Sequence, residues 1–190
     1  MRDEDLQSLA TRLAHIYPIQ ERRAGALNLM NPAMRKGVIV ELARLQLSED
    51  YVPDPRRAIE SLETALEVAL EVLAMRPPLP FGVVIDGVAT GDIRASEAIT
   101  ELLGAKAKTL TSLADNYIGT GLRSVYEKDG RRYDARLEPL FADPSKFYMN
   151  IDANNFGLPA NSRQEIISEV SRVHGYFSTE LHQAFDSLLS

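Results

Sequence analysis

The chain has no cysteine among its 190 residues. This absence excludes disulfide bonds, thiolate metal sites and a cysteine nucleophile, and it is compatible with a reducing cytosol. The first nine residues, MRDEDLQSL, are acidic and lack the apolar segment of a secretory signal. No apolar run approaches the length needed to cross a bilayer. We therefore expect a cytoplasmic protein without a membrane segment.

Motifs for phosphate binding and for serine hydrolases are also absent. The chain contains no GxxxxGK[ST], no GxGxxG and no GxSxG. Asp86, in VVIDGVATGD, could hold Mg²⁺ at the end of a strand, but without a phosphate-binding loop we interpret Asp86 and Gly87 as a turn. His15 lies alone, and His174 and His182 are two helical turns apart, too far to share one metal ion unaided. We expect no catalytic residues, no metal and no cofactor.

The composition is that of a soluble globular protein. Hydrophobic residues make up 45% of the chain and charged residues 25%, which argues against disorder. The net charge is −6 and the isoelectric point is near 5.2, so nucleic acid is disfavoured as the main partner. A protein partner or a second copy of the chain is the favoured class.

The first part of the sequence predicts a helical domain over residues 1–76. A stripe of apolar residues predicts the first helix, which Pro18 ends: Leu6, Leu9, Leu13 and Ile16. ERRAGALNLM is interpreted as a short second helix. Asn31 and Pro32 resemble the cap and first position of a third helix, NPAMRKGVIVELARLQL. Asp54 and Pro55 form the same cap and first position at the start of DPRRAIESLETALEVALEVLAM, whose apolar residues recur at helical spacing and predict a fourth helix.

The proline-rich RPPLP at residues 76–80 marks the predicted boundary to a second domain over residues 77–190. FGVVIDGVA and KFYMNID predict strands, and a helix broken near Gly104 lies between them. The last segment predicts a long helix that begins with a capping box of Ser162 and Glu165. The expected fold class is α+β, in which a helical N-terminal domain precedes an antiparallel β-meander packed on a long C-terminal helix.

A hairpin is predicted around the dipeptide DG at residues 129–130. If these two residues form the loop, each residue i of one strand pairs with residue 259 − i of the other strand. Leu122 then opposes Leu137, and Tyr126 opposes Tyr133, which makes a buried apolar face.

On the other face, the same register places Arg123 opposite Arg136. Like charges in this position destabilise a sheet unless something neutralises them. The favoured interpretation is that Asp134, Glu138 or Asp152 does so in an exposed ion network. The alternative is that the two arginines receive a carboxylate, a phosphate or an acidic partner.

The segment NIDANNFG, residues 150–157, partly matches a calcium-binding loop. Asp152, Asn154 and Gly157 fit three of its positions, whereas Phe156 and Arg163 occupy positions that need oxygen ligands. We interpret the segment as the end of a strand followed by a turn. Only Asp152 remains a candidate functional residue, on condition that it points towards the arginine pair across the sheet.

Over about residues 117–190, the sequence resembles the C-terminal part of a sporadically distributed family of uncharacterised bacterial proteins. The residues that carry this resemblance are Gly121 to Arg123, Arg136 to Leu140, Asp143, Pro144 and Asp152. The resemblance implies the same hairpin register and a bacterial or phage-linked setting, sometimes beside defence genes, but no established activity.

Two functional hypotheses follow. The first is a non-catalytic interaction or adaptor module that contacts other proteins, or itself, through its helices. The second is an enzyme or sensor for an anionic small molecule, with Arg123 and Arg136 as the clamp and Glu138 and Asp152 as candidate acid and base. A nucleic-acid regulator acting through RRAGALNLMNPAMRK is the weakest hypothesis, because the total charge is acidic.

Overall fold

The structure is a computed structural model that describes residues 2–41, 44–50, 54–90, 94–106, 109, 112, 119–143, 145–155 and 157–189. The chain forms two compact units. The first comprises Met1–Leu79 and Ala160–Ser168, and the second comprises Pro80–Pro159 and Glu169–Ser190. None of the described helices is both long enough and apolar enough to span a membrane.

The first unit runs through a helix, four strands and a second long helix. In chain order these elements are α1 (Asp3–Leu13), β1 (Ile19–Arg23), β2 (Ala26–Asn31), a 3-10 turn (Pro32–Met34), β3 (Lys36–Glu41), β4 (Arg44–Glu49) and α2 (Pro55–Val72). Each strand pairs antiparallel with the next, so the sheet order is β1-β2-β3-β4. The sheet is therefore a meander built only from local hairpins.

The prediction of a helical N-terminal domain is wrong, because two of its predicted helices are strands. Asn31 does act as a cap, with its side chain accepting a hydrogen bond from Met34 N at 3.2 Å, but it caps only the 3-10 turn. Arg35 then adopts a left-handed backbone with φ of 49° and redirects the chain into β3. On either side burial alternates along the chain, with Leu27 and Leu29 buried in β2 and Val38 and Val40 in β3, as in a half-buried strand.

The two helices predicted with the clearest signals are confirmed. Helix α1 buries its leucine stripe, and α2 begins at Pro55 with Asp54 Oδ1 accepting a hydrogen bond from Arg56 N at 3.0 Å. The buried core of this unit combines both helices with the inner face of the sheet, and it includes Leu6, Leu9, Leu13, Leu27, Leu29, Val38, Val40, Ala65 and Ala69.

A polar cluster closes one end of this core. Lys36 Nζ donates a hydrogen bond to Ser61 Oγ at 3.0 Å. The Tyr17 hydroxyl and Glu49 Oε2 are buried nearby, and neither forms a hydrogen bond of normal geometry with a described residue, although the Ser61 side chain is close enough to both to oppose the rise in their pKa. Burial raises the pKa of Glu49, and burial together with the Glu49 charge raises the pKa of Tyr17 to about 12. The first unit thus contains two buried polar groups that are poorly satisfied.

The second unit contains a four-stranded antiparallel sheet. Its strands are β5 (Gly82–Thr90), β6 (Leu122–Lys128), β7 (Arg131–Pro139) and β8 (Lys146–Asn154), in the order β5-β8-β7-β6. The predicted hairpin register is confirmed, because Leu122 pairs with Leu137 and Tyr126 with Tyr133. Its loop has positive φ at both positions, 53° at Asp129 and 73° at Gly130, as a two-residue hairpin turn requires.

Helices cover the inner face of this sheet. They are α3 (Ala95–Leu103), the part of α4 (Arg163–Tyr176) from Glu169 onwards, and α5 (His182–Leu189), with a π-helical turn (Phe177–Leu181) between the last two. The buried core includes Ile99, Val173, Leu181 and Phe185 from the helices and Tyr133, Leu137, Met149 and Ile151 from the sheet. The antiparallel sheet and the long C-terminal helical segment are therefore confirmed.

The segments around the start of α4 follow the sequence prediction with one difference. Glu165 N donates to Ser162 Oγ at 3.2 Å, while the Glu165 carboxylate accepts from Asn161 N at 2.8 Å rather than from Ser162 N. Strand β8 ends at Asn154, and a turn follows in which Leu158 N donates to the Asn155 carbonyl oxygen at 2.9 Å. Phe156 lies outside the described residues.

A buried ion network ties α4 to the sheet. The Glu169 carboxylate accepts hydrogen bonds from Arg131 Nε at 2.6 Å, Arg172 Nε at 2.8 Å and Asn155 Nδ2 at 3.1 Å. Arg172 Nη2 also donates to the Tyr133 hydroxyl at 2.5 Å. Burial raises the pKa of Glu169, but the hydrogen bonds from Arg172, Arg131 and Asn155 outweigh it, so the pKa is lowered.

Candidate functional site

The predicted site residues all lie on the outer face of the second sheet, opposite the face that packs on the helices. Side chains alternate between the two faces of a strand, so Arg136 and Glu138 of β7 point away from buried Leu137. The strand pairing places Arg123 of β6 opposite Arg136 and brings Asp152 of β8 onto the same face. The structure therefore gathers Arg123, Arg136, Glu138 and Asp152 on one surface, which we call the outer sheet face.

Asp134 neutralises the arginine pair. Arg123 donates to both of its carboxylate oxygens, from Nε at 2.9 Å and from Nη2 at 2.5 Å. Arg136 approaches the same two oxygens from Nε at 3.5 Å and from Nη2 at 3.4 Å. The hydrogen bonds from Arg123 are the main reason why the pKa of Asp134 falls to about 2. Of the three acids proposed from the sequence, Asp134 is the one that bridges the arginines.

The other two acids do not take part in this bridge. Asp152 is directly opposite Asp134 in the strand pairing, and Glu138 is opposite Tyr148. Within the described part of the chain, neither Asp152 nor Glu138 forms an ion pair. Asp152 and Glu138 therefore lie on the same face as the arginines but form no ion pair with either of them.

A second polar trio lies beside the arginines. The Tyr148 hydroxyl and Asn150 Nδ2 both donate to Asp86 Oδ1, the latter at 2.7 Å. Burial and the hydrogen bond to Asp86 raise the pKa of Tyr148 to about 12. The interpretation of Asp86 and Gly87 as a turn is wrong, because both lie inside β5. Gly87 serves close packing there, since a Cβ at this position would lie 2.9 Å from Phe177 Cζ.

Apolar side chains are interspersed among these polar groups. Val84 is 60% exposed, Val88 59% and Val125 48%, and all three point outwards from the edge strands β5 and β6. The described residues contain no group of three or more histidine, aspartate or glutamate side chains that could hold a metal ion. The outer sheet face thus has exposed valines on its two edge strands, β5 and β6. Among its charged groups, Asp134, Arg123, Arg136 and Asp86 are hydrogen-bonded, whereas Asp152 and Glu138 form no ion pair with a described residue.

Part of this surface was visible in the sequence and was missed. Tyr148 and Asn150 alternate with Asp152 in KFYMNID, so a strand there places all three on one face. The alternation was sufficient to predict this grouping. Their contact with Asp86 was not predictable, because β5 and β8 are joined by no hairpin that would fix their register.

Comparison with protein-family models, with curated proteins and with solved structures found no match. A functional proposal for this chain therefore depends on the residues and geometry described above.

Proposed function

We propose that the protein is a non-catalytic protein-interaction or adaptor module that binds its partner through the outer sheet face. The observation that carries this proposal is the exposure of Val84, Val88 and Val125 on an open sheet face of the second unit. Removing apolar surface from water contributes roughly 25 cal/mol per Å² to association. Val84 and Val88 on β5 and Val125 on β6 expose apolar surface at both edges of this face, which a partner that spans the sheet would remove from water.

The charged groups on this face also favour docking over chemistry. Asp134 already holds both Arg123 and Arg136, and Asp86 is already bonded by Tyr148 and Asn150. A partner that covers these groups would meet charges that are already hydrogen-bonded, which lowers the desolvation penalty of binding there. Asp152 and Glu138 form no ion pair with a described residue, so a partner that covered them would have to supply one. The charges on this face would mainly determine the orientation of the partner and the rate of encounter.

The anion-binding alternative has less support from the geometry. An incoming phosphate or carboxylate would have to displace Asp134 from the arginines, and Asp152 and Glu138 add negative charge to the same face. A thermal-shift titration with inorganic pyrophosphate separates the two hypotheses. Stabilisation by pyrophosphate that is lost in Arg136→Ala would favour the anion site, and the docking proposal expects none.

The cellular setting is part of the proposal. We carry forward a cytoplasmic location and the bacterial, defence-linked setting that the family resemblance implies. The acidic net charge of −6 supports a protein partner over nucleic acid.

The test compares two exposed surfaces by affinity capture from cells that express the protein natively. The double variant Val84→Lys/Val125→Lys disrupts the outer sheet face. Leu188→Lys is the matched control, since Leu188 is 48% exposed on α5. We expect proteins retained by the wild type and by Leu188→Lys to be lost from the double variant. Identical retention by all three proteins, or a wild type that is monomeric by light scattering and retains nothing, would rule the proposal out.

A further inference from the structure

A shallow cleft runs along one edge of the second sheet. It has a volume of about 360 Å³ and lies between residues 87–90 of β5 and the helical side chains Phe177, Ser178 and His182, with Met149 also in its wall. Successive residues of a strand point to opposite faces, so four consecutive lining residues mean that the cleft borders the edge of β5. The cleft therefore exposes main-chain groups of the strand as well as side chains.

Strand β5 is an edge strand in the described part of the sheet. It pairs with β8, and no other described strand pairs with it. The free edge of such a strand presents N–H and C=O groups that can pair with another extended chain. The opposite wall is the π-helical turn Phe177–Leu181, a widened helical geometry that is often found at functional sites.

The chemistry of the cleft restricts what can bind there. Its lining contains no aspartate, glutamate, lysine or arginine, and its one histidine, His182, has Nε2 3.5 Å from Asp186 Oδ2. The outer sheet face, in contrast, is dense in charge. The complement of the cleft is an uncharged segment with apolar side chains. One set of those side chains would lie beside Val88 on the outer face, and the other beside Phe177 and Met149.

We propose that this cleft binds an extended, uncharged segment of another protein by β-strand addition to the edge of β5. The inference rests on the proposed interaction function but assigns a second surface to it, which adjoins the outer sheet face at Val88. Main-chain hydrogen bonds along β5 supply affinity in this mode, and the side chains on either face of the added strand supply specificity.

The test uses a phage library of random dodecapeptides selected on the full chain, followed by fluorescence anisotropy with the best labelled peptide. Ser178→Trp fills the cleft from an exposed position on the helix, and Ser187→Trp on α5 is the matched exposed control. We expect Ser178→Trp to weaken binding by at least about tenfold, and Ser187→Trp to leave it unchanged. Affinity should stay constant between roughly 50 and 500 mM NaCl, because the cleft is almost uncharged.

Hydrogen exchange provides a second readout that does not depend on the tryptophan variants. Bound peptide should slow exchange of the amides of residues 87–90. Failure to select any peptide, equal binding by Ser178→Trp, or protection confined to β7 would overturn the inference. Self-association that Ser178→Trp abolishes would also overturn it, by replacing the partner segment with a second copy. The double variant Val84→Lys/Val125→Lys should still bind the peptide but should lose its partners in the capture from cells. The first result would support the cleft, and the second would support the outer sheet face independently.

Discussion

The Glu169 network gives a sharp prediction for the variant Glu169→Gln, which preserves the shape of the side chain but removes its charge. The Glu169 side chain is 7% exposed, whereas Arg131 is 24% and Arg172 34% exposed. Removing one member of a fully buried ion pair costs about 3–5 kcal/mol. Water reaches both guanidinium groups here and relieves part of that cost, so we expect a loss of about 2–3 kcal/mol in the stability of the second unit.

The effect of Glu169→Gln should depend on pH. The folded-state pKa of Glu169 is lowered, so its contribution to stability is fully present above its unfolded pKa, which is about 4.3. That contribution is lost as the pH falls through the folded pKa. The difference in stability between the wild type and Glu169→Gln should therefore be largest at neutral pH and should shrink below about pH 4.

The measurement has to report on the second unit alone. The chain has no tryptophan and forms two units, so a single global unfolding midpoint is not well defined. Hydrogen exchange of peptides from β7 and β8 in increasing urea gives the local unfolding free energy directly. Glu180→Gln is the control, because Glu180 pairs with Lys128 at 2.5 Å but its side chain is 61% exposed. We expect this control to behave as the wild type.

Two results would contradict this reasoning. If Glu169→Gln were as stable as the wild type at pH 7, the network would contribute nothing to stability despite its burial. If Glu180→Gln cost as much as Glu169→Gln, burial would not be what distinguishes the two ion pairs.

Three further variants test local packing and burial. Tyr17→Phe removes a buried hydroxyl that forms no hydrogen bond of normal geometry, so hydrogen exchange in β2 and β3 should show unchanged stability of the first unit or a gain of up to about 1 kcal/mol. A loss would show that the contact with Ser61 is stabilising. Glu49 has a raised folded pKa, so its charge destabilises the first unit at neutral pH and stability rises as the pH falls through that value. Glu49→Gln should remove this rise in pH-dependent urea titrations followed by hydrogen exchange in β3 and β4, and an unchanged profile would refute the assignment. Gly87→Ala would bring a Cβ to 2.9 Å from Phe177 Cζ. The overpacking should cost the second unit about 1 kcal/mol net, measured by hydrogen exchange of peptides from β5 and β8 in increasing urea. Adding Phe177→Leu should relieve this clash. If the stability loss of the double variant equalled the sum of the losses of Gly87→Ala and Phe177→Leu, the clash would not be the cause.

Signals that act over a few residues were sufficient to predict several elements. The cap at Asp54 and the apolar stripe of α1 predicted two helices, and the dipeptide at 129–130 fixed the register of β6 and β7. In each case the structure depends on neighbours within one turn or one hairpin. The N-terminal sheet was missed because Asn31 and Pro32 start a 3-10 turn with the same residues that start a helix.

The candidate surface was predictable only in part. The opposition of Arg123 and Arg136 followed from the hairpin register, which the sequence specifies locally. The choice of Asp134 over Asp152 as the bridging acid was not predictable, because both lie on the same face and the reach of the arginine side chains decides between them. The place of β5 at the edge depends on contacts between distant parts of the chain, which no local pattern encodes.

The strand order β5-β8-β7-β6 has a consequence for the synthesis of the protein. A ribosome releases β5 first, yet its partner β8 emerges only after the whole β6–β7 hairpin has been made. The later strands can assemble locally, whereas β5 has to wait, and long-range pairing of this kind is slow and prone to aggregation. A newly synthesised apolar segment that has a charged residue at its centre aggregates less readily than an apolar segment without a charge. Asp86, in the middle of GVVIDGVAT, is well placed to act as such a gatekeeper before Tyr148 and Asn150 are available to bind it.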